Sequence, residues 1–192
     1  MQISDARILI VATNGFEEWE LFGPRRILQQ RGAEVVLASL NREPIQATIH
    51  DEPGKAIRPD LTIDEANADD FDGLILPGGV RNPDTLRLHG NVIALIRRFA
   101  DQGKPIAAIC HGPWLLVEAE LVRGRTATSW PSIRTDLRNA GANVVDETAV
   151  TDGNIVTSRK PDDVEAFTNA LIDLIENEPA VEEIREPSEL PA

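Results

Sequence analysis

The chain has 192 residues, 42% of them hydrophobic, and a single cysteine. This suits one globular domain and excludes an intrachain disulfide framework or a thiolate-cluster metal site. Its 19 basic and 32 acidic residues give a net charge of −13, a surface that repels nucleic-acid phosphates and anionic membranes. The apolar runs are too short to cross a bilayer, and the lone cysteine with no signal-peptide pattern sets the expectation of a reducing, cytoplasmic setting.

The first apolar run, Arg7–Thr13, is short and continuous, which predicts a strand buried on both faces. Asn14–Gly15 marks a turn, and the spacing of Trp19, Phe22, Ile27 and Leu28 predicts a helix over Phe16–Arg31, closed by Gly32. Glu34–Ser39 is a second strand. Residues 41–60, punctuated by prolines and Gly54, read as a loop with a short hairpin. Thr62–Glu65 has the capping-box pattern ahead of a short helix. Asp72–Leu76 is a third buried strand that ends at Pro77–Gly78–Gly79, and a helix over Asp84–Gln102 follows. Pro105–Ile109 is a fourth strand, with Cys110 at its C-terminal end and a helix from Pro113 to Leu121 behind it. Strands are expected near Thr126–Ser129, Val144–Val150 and Ile155–Ser158, the last two joined by a turn at Asp152–Gly153, and helices over Ser132–Ala140 and Pro161–Glu176. This alternation predicts one α/β domain over residues 1–176 with a doubly wound, mainly parallel sheet. Residues 177–192 hold five glutamates, one arginine and three prolines, the composition of a solvated tail or an arm on a neighbouring subunit.

Ligands of open α/β sheets bind beyond the carboxyl ends of the strands, and three unusual segments fall at such ends. The first is Gly15–Glu20, the second Pro77–Gly79, the third Cys110–Pro113. A lone cysteine by itself reads as a buried, inert small hydrophobe. Between a strand and a helix start, however, a sharp turn lifts the side chain out of the sheet, as in a nucleophile elbow, and the helix N-terminus favours thiolate. His111 is either a surface histidine or the base that moves the proton. Glu17, Glu18 and Glu20 match the start of a helix dipole. Among them Glu20, set between Trp19, Leu21 and Phe22, is the candidate for a buried, protonated carboxyl beside the sulfur, with Glu17 and Glu18 solvated. Gly78 and Gly79 are either a plain loop or, with the amide after Cys110, a hole for a tetrahedral oxyanion.

Ala108–Pro113, Leu76–Gly79 and Gly15–Glu20, supported by Gly124–Arg125, Asp136–Gly141 and Thr157–Asp163, resemble the PfpI-type superfamily over about Arg7 to Glu176. That superfamily contains intracellular cysteine peptidases, bacterial general stress proteins and the Parkinson-disease deglycases. The Cys–His–Gly–Pro form is similar to the peptidase and stress-protein branch; the deglycase branch proper has a small residue at the position of His111. The resemblance implies a flavodoxin-like three-layer α/β/α sandwich with class I glutamine-amidotransferase-like topology, and a homodimer or larger assembly. It implies Cys110 as nucleophile and Glu20 as the protonated carboxyl on its sulfur. It also implies a carboxylate from a neighbouring subunit that completes a Cys–His–acid triad. The matching position is Asp84, where the archetype has glutamate.

Several functions fit these residues. One is a stress-protective cysteine enzyme acting on small reactive aldehydes such as methylglyoxal and their adducts, or on peptides, with Cys110, His111, Glu20 and Asp84 as the catalytic set and no cofactor or metal. Another is a redox sensor in which Cys110 stops at a sulfenic or sulfinic acid, and a third is a non-enzymatic chaperone. A glutamine amidotransferase is set aside, because it needs an activating histidine late in the chain and the histidines here are His50, His89 and His111.

Overall fold

The computed structural model describes residues 1–177. The acidic segment expected as a tail or arm falls, from residue 178 onward, outside the described residues.

Strand β1 (Arg7–Val11) forms as expected, but the helix after it starts late. Phe16–Glu17 is extended as β2 and pairs with β4, and α1 runs over Glu18–Gln30. After β3 (Glu34–Ser39), the hairpin expected within residues 41–60 forms and takes up much of that loop: β4 (Ile45–Ile49) and β5 (Glu52–Ile57) are antiparallel, and β2, β4 and β5 make a small separate sheet. The two-residue β6 (Leu61–Thr62) joins the main sheet, and Glu65 caps the turn after it by accepting the Thr62 N–H at 2.7 Å. Two short 3-10 turns, not an α-helix, lead to β7 (Gly73–Leu76).

The helix expected over Asp84–Gln102 is two helices, α2 (Arg81–Leu86) and α3 (Gly90–Asp101), broken where His89 is extended before Gly90. Strand β8 (Ile106–Ile109) and helix α4 (Pro113–Glu118) flank Cys110. Then come β9 (Thr126–Ala127), α5 (Arg134–Asn139), β10 (Asn143–Val144), the hairpin β11 (Ala149–Asp152) and β12 (Ile155–Ser158), and α6 (Val164–Asn177). The hairpin turns on Gly153, whose φ of 59° suits glycine.

The main sheet has the order β11-β12-β8-β7-β1-β3-β6, parallel throughout except for the edge strand β11. Alternate residues of each strand face opposite helical layers. Ile8 and Ile10 pack with Leu21 and Leu28 of α1 and with Phe167, Leu171 and Ile175 of α6. Leu9 and Val11 belong to the other face, with Leu86, Val92, Ile96 and Phe99 of α2 and α3 and Leu115 and Leu116 of α4. The result is the expected flavodoxin-like α/β/α sandwich, with every central strand buried on both sides. Among the described residues no helix is long and apolar enough to cross a membrane.

The parallel register sets the site. Leu76 of β7 lies opposite Ala108 of β8, and Ser158 of β12 opposite Ile109. Two residues further along, Gly78 and Cys110 leave the sheet side by side.

Candidate active site at the strand ends

Cys110 has a φ of 62°, a left-handed conformation that non-glycine residues rarely take. Three hydrogen bonds hold it there. The Cys110 N–H donates to Ser158 O at 3.0 Å, its carbonyl accepts the Trp130 N–H at 2.9 Å, and the Gly112 N–H closes the turn on Ile109 O at 2.8 Å. Side chains could not replace the flanking glycines. A Cβ on Gly112 would collide with backbone oxygens of Leu76 and Ile109, and one on Gly78 would lie 2.6 Å from both Cys110 Cβ and Glu20 Oε2. The chain is therefore bent sharply at the one cysteine, and the strain is the mark of a site.

Glu20 projects from the first turns of α1 into this corner and is fully buried. Its Oε2 accepts the Gly78 N–H at 2.8 Å, while Oε1 has no hydrogen-bond partner among the described residues. Burial pushes its pKa up to about 8, against smaller lowering by the Gly78 amide and the Cys110 side chain, so the carboxyl is protonated at neutral pH. The structure places the expected Glu20 carboxyl, buried, in the same corner as Cys110. Burial also raises the pKa of the Cys110 thiol, and Glu20 adds to the rise once it ionises above its own pKa, while the Gly79 and His111 amides act on the sulfur to lower it. The thiol pKa, expected to fall because of the helix start, is raised instead, with burial the largest cause, and α4 has only six residues.

His111 folds back over its neighbour, with Nδ1 3.3 Å from Cys110 Sγ. Its Nε2 lies 3.3 Å from Ser132 Oγ, and its ring stacks on Trp130 and meets the edge of Trp114. Burial lowers its pKa, which keeps it neutral and able to accept a proton at pH 7.

Two sequence expectations change here. Gly78 cannot serve as an oxyanion donor, because its N–H is committed to Glu20; the amides of Gly79 and His111, aimed at the sulfur, are the donors left. Glu17 is not solvated: it is buried and accepts the His50 N–H at 3.1 Å, and burial raises its pKa, whereas Glu18 lies at the edge, paired with Lys55. Asp84 is exposed on α2, and within one chain it does not join this cluster.

The cluster opens into a cavity of about 290 Å³ lined by Cys110, His111, Glu20, Gly79, Glu17, Val80, Trp130, Pro161 and the hairpin turn His50–Asp51. A larger groove of about 980 Å³ adjoins it, sharing Glu17, His50, Trp130 and Pro161 and extending along α1 past Trp19 and Arg26 to Arg31. Among the described residues no three His, Cys, Asp or Glu side chains stand together as a metal site.

Sequence reasoning missed several residues around the site. Buried Asn82 fixes the glycine loop: its side-chain amide donates to the carbonyls of Pro77 and Gly78, and its Oδ1 accepts the Thr13 N–H at 2.8 Å. Ser132, Trp130 and His50 come from distant segments. Trp130 alone carried a signal, an indole in a loop of small and polar residues in a chain with three tryptophans.

Residues 6–174 match the DJ-1/PfpI family. A Pyrococcus horikoshii protein named as a deglycase is 41% identical over 169 residues, covering 88% of this chain and 99% of that protein. Drosophila melanogaster DJ-1beta superposes with a TM-score of 0.81 at 30% identity, covering 91% of each chain. An Anabaena variabilis two-domain protein with DJ-1/ThiJ/PfpI-like and ferritin-like domains superposes with a TM-score of 0.85 at 33% identity. That match covers 95% of this chain, which spans about half (52%) of the two-domain protein. With that family match spanning nearly the whole of the described chain, the chain belongs to the DJ-1/PfpI family.

Proposed function

We propose that the protein is a stress-protective cysteine enzyme that removes small reactive carbonyls, methylglyoxal and its adducts on amines and thiols, as a glyoxalase or deglycase does. The observation that carries this reading is Cys110, bent into left-handed backbone at the floor of a 290 Å³ cavity, with His111 Nδ1 3.3 Å from its sulfur. The similarity to the P. horikoshii protein named as a deglycase supports the same class.

In the proposed course neutral His111 takes the thiol proton, and the thiolate attacks the aldehyde carbon. A C–S bond forms, and the carbonyl π pair moves to oxygen, toward the Gly79 and His111 amides. The thiol proton passes from His111 to this oxygen, which frees the ring; for methylglyoxal neutral His111 then carries the C–H proton of the adduct to the adjacent carbonyl carbon, while the hydroxyl proton moves to that carbonyl's oxygen. One carbon is oxidised and the other reduced within the same molecule, leaving a thioester. Water cleaves it to lactate and the free thiol. Protonated Glu20 adds no negative charge beside the sulfur, where a carboxylate would oppose the thiolate. A cavity of this size suits a small carbonyl; a peptide would have to occupy the adjoining groove. The proposal extends to self-association as a homodimer or larger assembly, the one way Asp84 of one copy reaches His111 of another. The test is methylglyoxal consumption by the intact chain and by Cys110→Ser, with circular dichroism to confirm the fold; undiminished consumption in the variant rejects the reading.

Glu20 Oε1 favours a second reading. It is buried, without a hydrogen-bond partner among the described residues, and belongs to a carboxyl that keeps its proton at pH 7. It is therefore suited to donate to an oxygen on an oxidised sulfur. Peroxide would take Cys110 to the sulfenic and then the sulfinic acid, and the chain has no second cysteine to form an internal disulfide. Mild peroxide should add two oxygens at Cys110 by mass spectrometry, and Glu20→Leu should make that product less stable.

A further inference from the structure

We propose that Ser132 is a positioning residue for the Cys110–His111 pair: its hydroxyl holds the Nε2–H of His111 and so supports the imidazolium that forms when Cys110 gives up its proton. Each ring nitrogen of His111 has one polar neighbour, Cys110 Sγ at Nδ1 and Ser132 Oγ at Nε2, both at 3.3 Å. A neutral imidazole carries one proton. A thiol facing Nδ1 is a donor, so Nδ1 is the acceptor and the ring proton sits on Nε2, where Ser132 Oγ accepts it. When the thiol proton moves to Nδ1 the ring becomes a cation with two N–H groups. One then faces the new thiolate, and the other is already placed on the serine.

The surroundings fix this geometry. The ring is held between Trp114 and Trp130. Ser132 belongs to the single 3-10 turn Pro131–Ile133, and Ile133 is buried beneath it. The residue before that turn, Trp130, donates its N–H to the carbonyl of Cys110 itself. The serine is thereby tied to the elbow that carries the sulfur, with one proline-stiffened step between them.

The inference rests on the reading of Cys110 as a nucleophile activated by His111, and its test has readouts independent of substrate. Iodoacetamide alkylation of Cys110 at pH 7 is measured on the full chain, together with the ¹⁵N shifts of the His111 ring. In the unmodified chain Nε2 should be the protonated nitrogen. Ser132→Ala should slow alkylation about three- to tenfold, the size of one hydrogen bond, and should weaken the Nε2-protonated signature. Ser132→Thr should restore both. An unchanged rate and ring signature in Ser132→Ala would overturn the inference, and so would failure of the threonine to restore them. If the unmodified chain consumes no methylglyoxal but the alkylation and ring results are as expected, the carbonyl reading fails and the role of Ser132 stands. If methylglyoxal is consumed and Ser132→Ala is silent in both probes, the reverse holds.

Discussion

The ends of β7 and β8 do the same thing by opposite means. Both strands stop at neighbouring points of a parallel register, and both pass through a left-handed residue, Gly79 with φ 74° and Cys110 with φ 62°. At Gly79 the conformation is free of cost and the absence of a side chain is the point: the loop must press against Gly15 and Glu17, where a Cβ would collide with the Gly15 carbonyl oxygen. At Cys110 the same backbone costs about 1–2 kcal/mol. The side chain is the point there, because only this bend turns the sulfur out of the sheet toward His111 and Glu20. One end is shaped by what is missing, the other holds strain to present a single atom, and together they make the cavity.

The largest effect should come from removing that atom. Cys110→Ser should lower methylglyoxal consumption about a hundredfold or more with the fold intact, since the weaker hydroxyl nucleophile keeps the same bend. Gly79→Ala should act on the fold first, losing about 3 kcal/mol by urea unfolding, from left-handed strain and overpacking together. If it unfolds like the parent, the close approach of the glycine loop to Gly15 is not what shapes this end. Gly78→Ala should cost about 1–3 kcal/mol and also slow Cys110 alkylation, because its Cβ would press on the cysteine and on the Glu20 carboxylate.

Between the two strand ends sits Glu20, and its burial makes a pH prediction. Its folded pKa of about 8 lies above the ordinary value of 4.5, so the folded state keeps a proton that the unfolded state releases. The protonated form is fully accommodated below pH 4.5, and stability should fall as pH rises from there toward 8, then level off. The slope in that window is about 1.4 kcal/mol per pH unit for one group. Glu20→Gln cannot ionise and should lose this contribution, so its stability relative to the parent should improve from pH 5 to pH 8 in denaturant titrations. A constant difference across that range would mean that Glu20 is ionised in the fold.

How much of this was legible in the sequence depended on range. Buried strands such as Arg7–Val11 and Ile106–Ile109 are continuous apolar runs, and a doubly covered parallel sheet demands that pattern. Cys110, His111 and Glu20 were legible because each sits at a chain-local signal, a strand end or the start of a helix. A hairpin within residues 41–60 was legible, but its extent and its pairing with β2 were not, because its strands are half exposed and broken by Pro53 and Gly54, and β2 is only two residues long. The split between α2 and α3 rests on one extended residue, His89, and the apolar spacing from Val92 to Phe99 fits one helix or two equally well. Gly78 was read as an anion donor because the carboxyl that takes its N–H, Glu20 on α1, is 58 residues away in sequence. Ser132 and Asn82 belong to the same class: their roles are set by which segments meet, and no local pattern marks them.

The smallest prediction isolates the strain itself. Cys110→Ala and Cys110→Gly both remove the sulfur, so both should be inactive and both leave the space beside Glu20 empty. They differ in the Cβ that makes φ 62° unfavourable. Glycine at an ordinary position lowers stability relative to alanine by about 0.4–1 kcal/mol, through the extra freedom of the unfolded chain. Here relief of about 1–2 kcal/mol of left-handed strain opposes that loss. The glycine variant should therefore be the more stable of the two by about 1 kcal/mol, read from paired urea midpoints with equal m-values. If alanine is ahead by about 0.4–1 kcal/mol, as at an ordinary position, the bend at Cys110 is not strained, and the contrast between the two strand ends reduces to sequence alone. If glycine wins, the fold spends stability to keep a cysteine where glycine would sit more easily, as expected of a residue held for its chemistry rather than its packing.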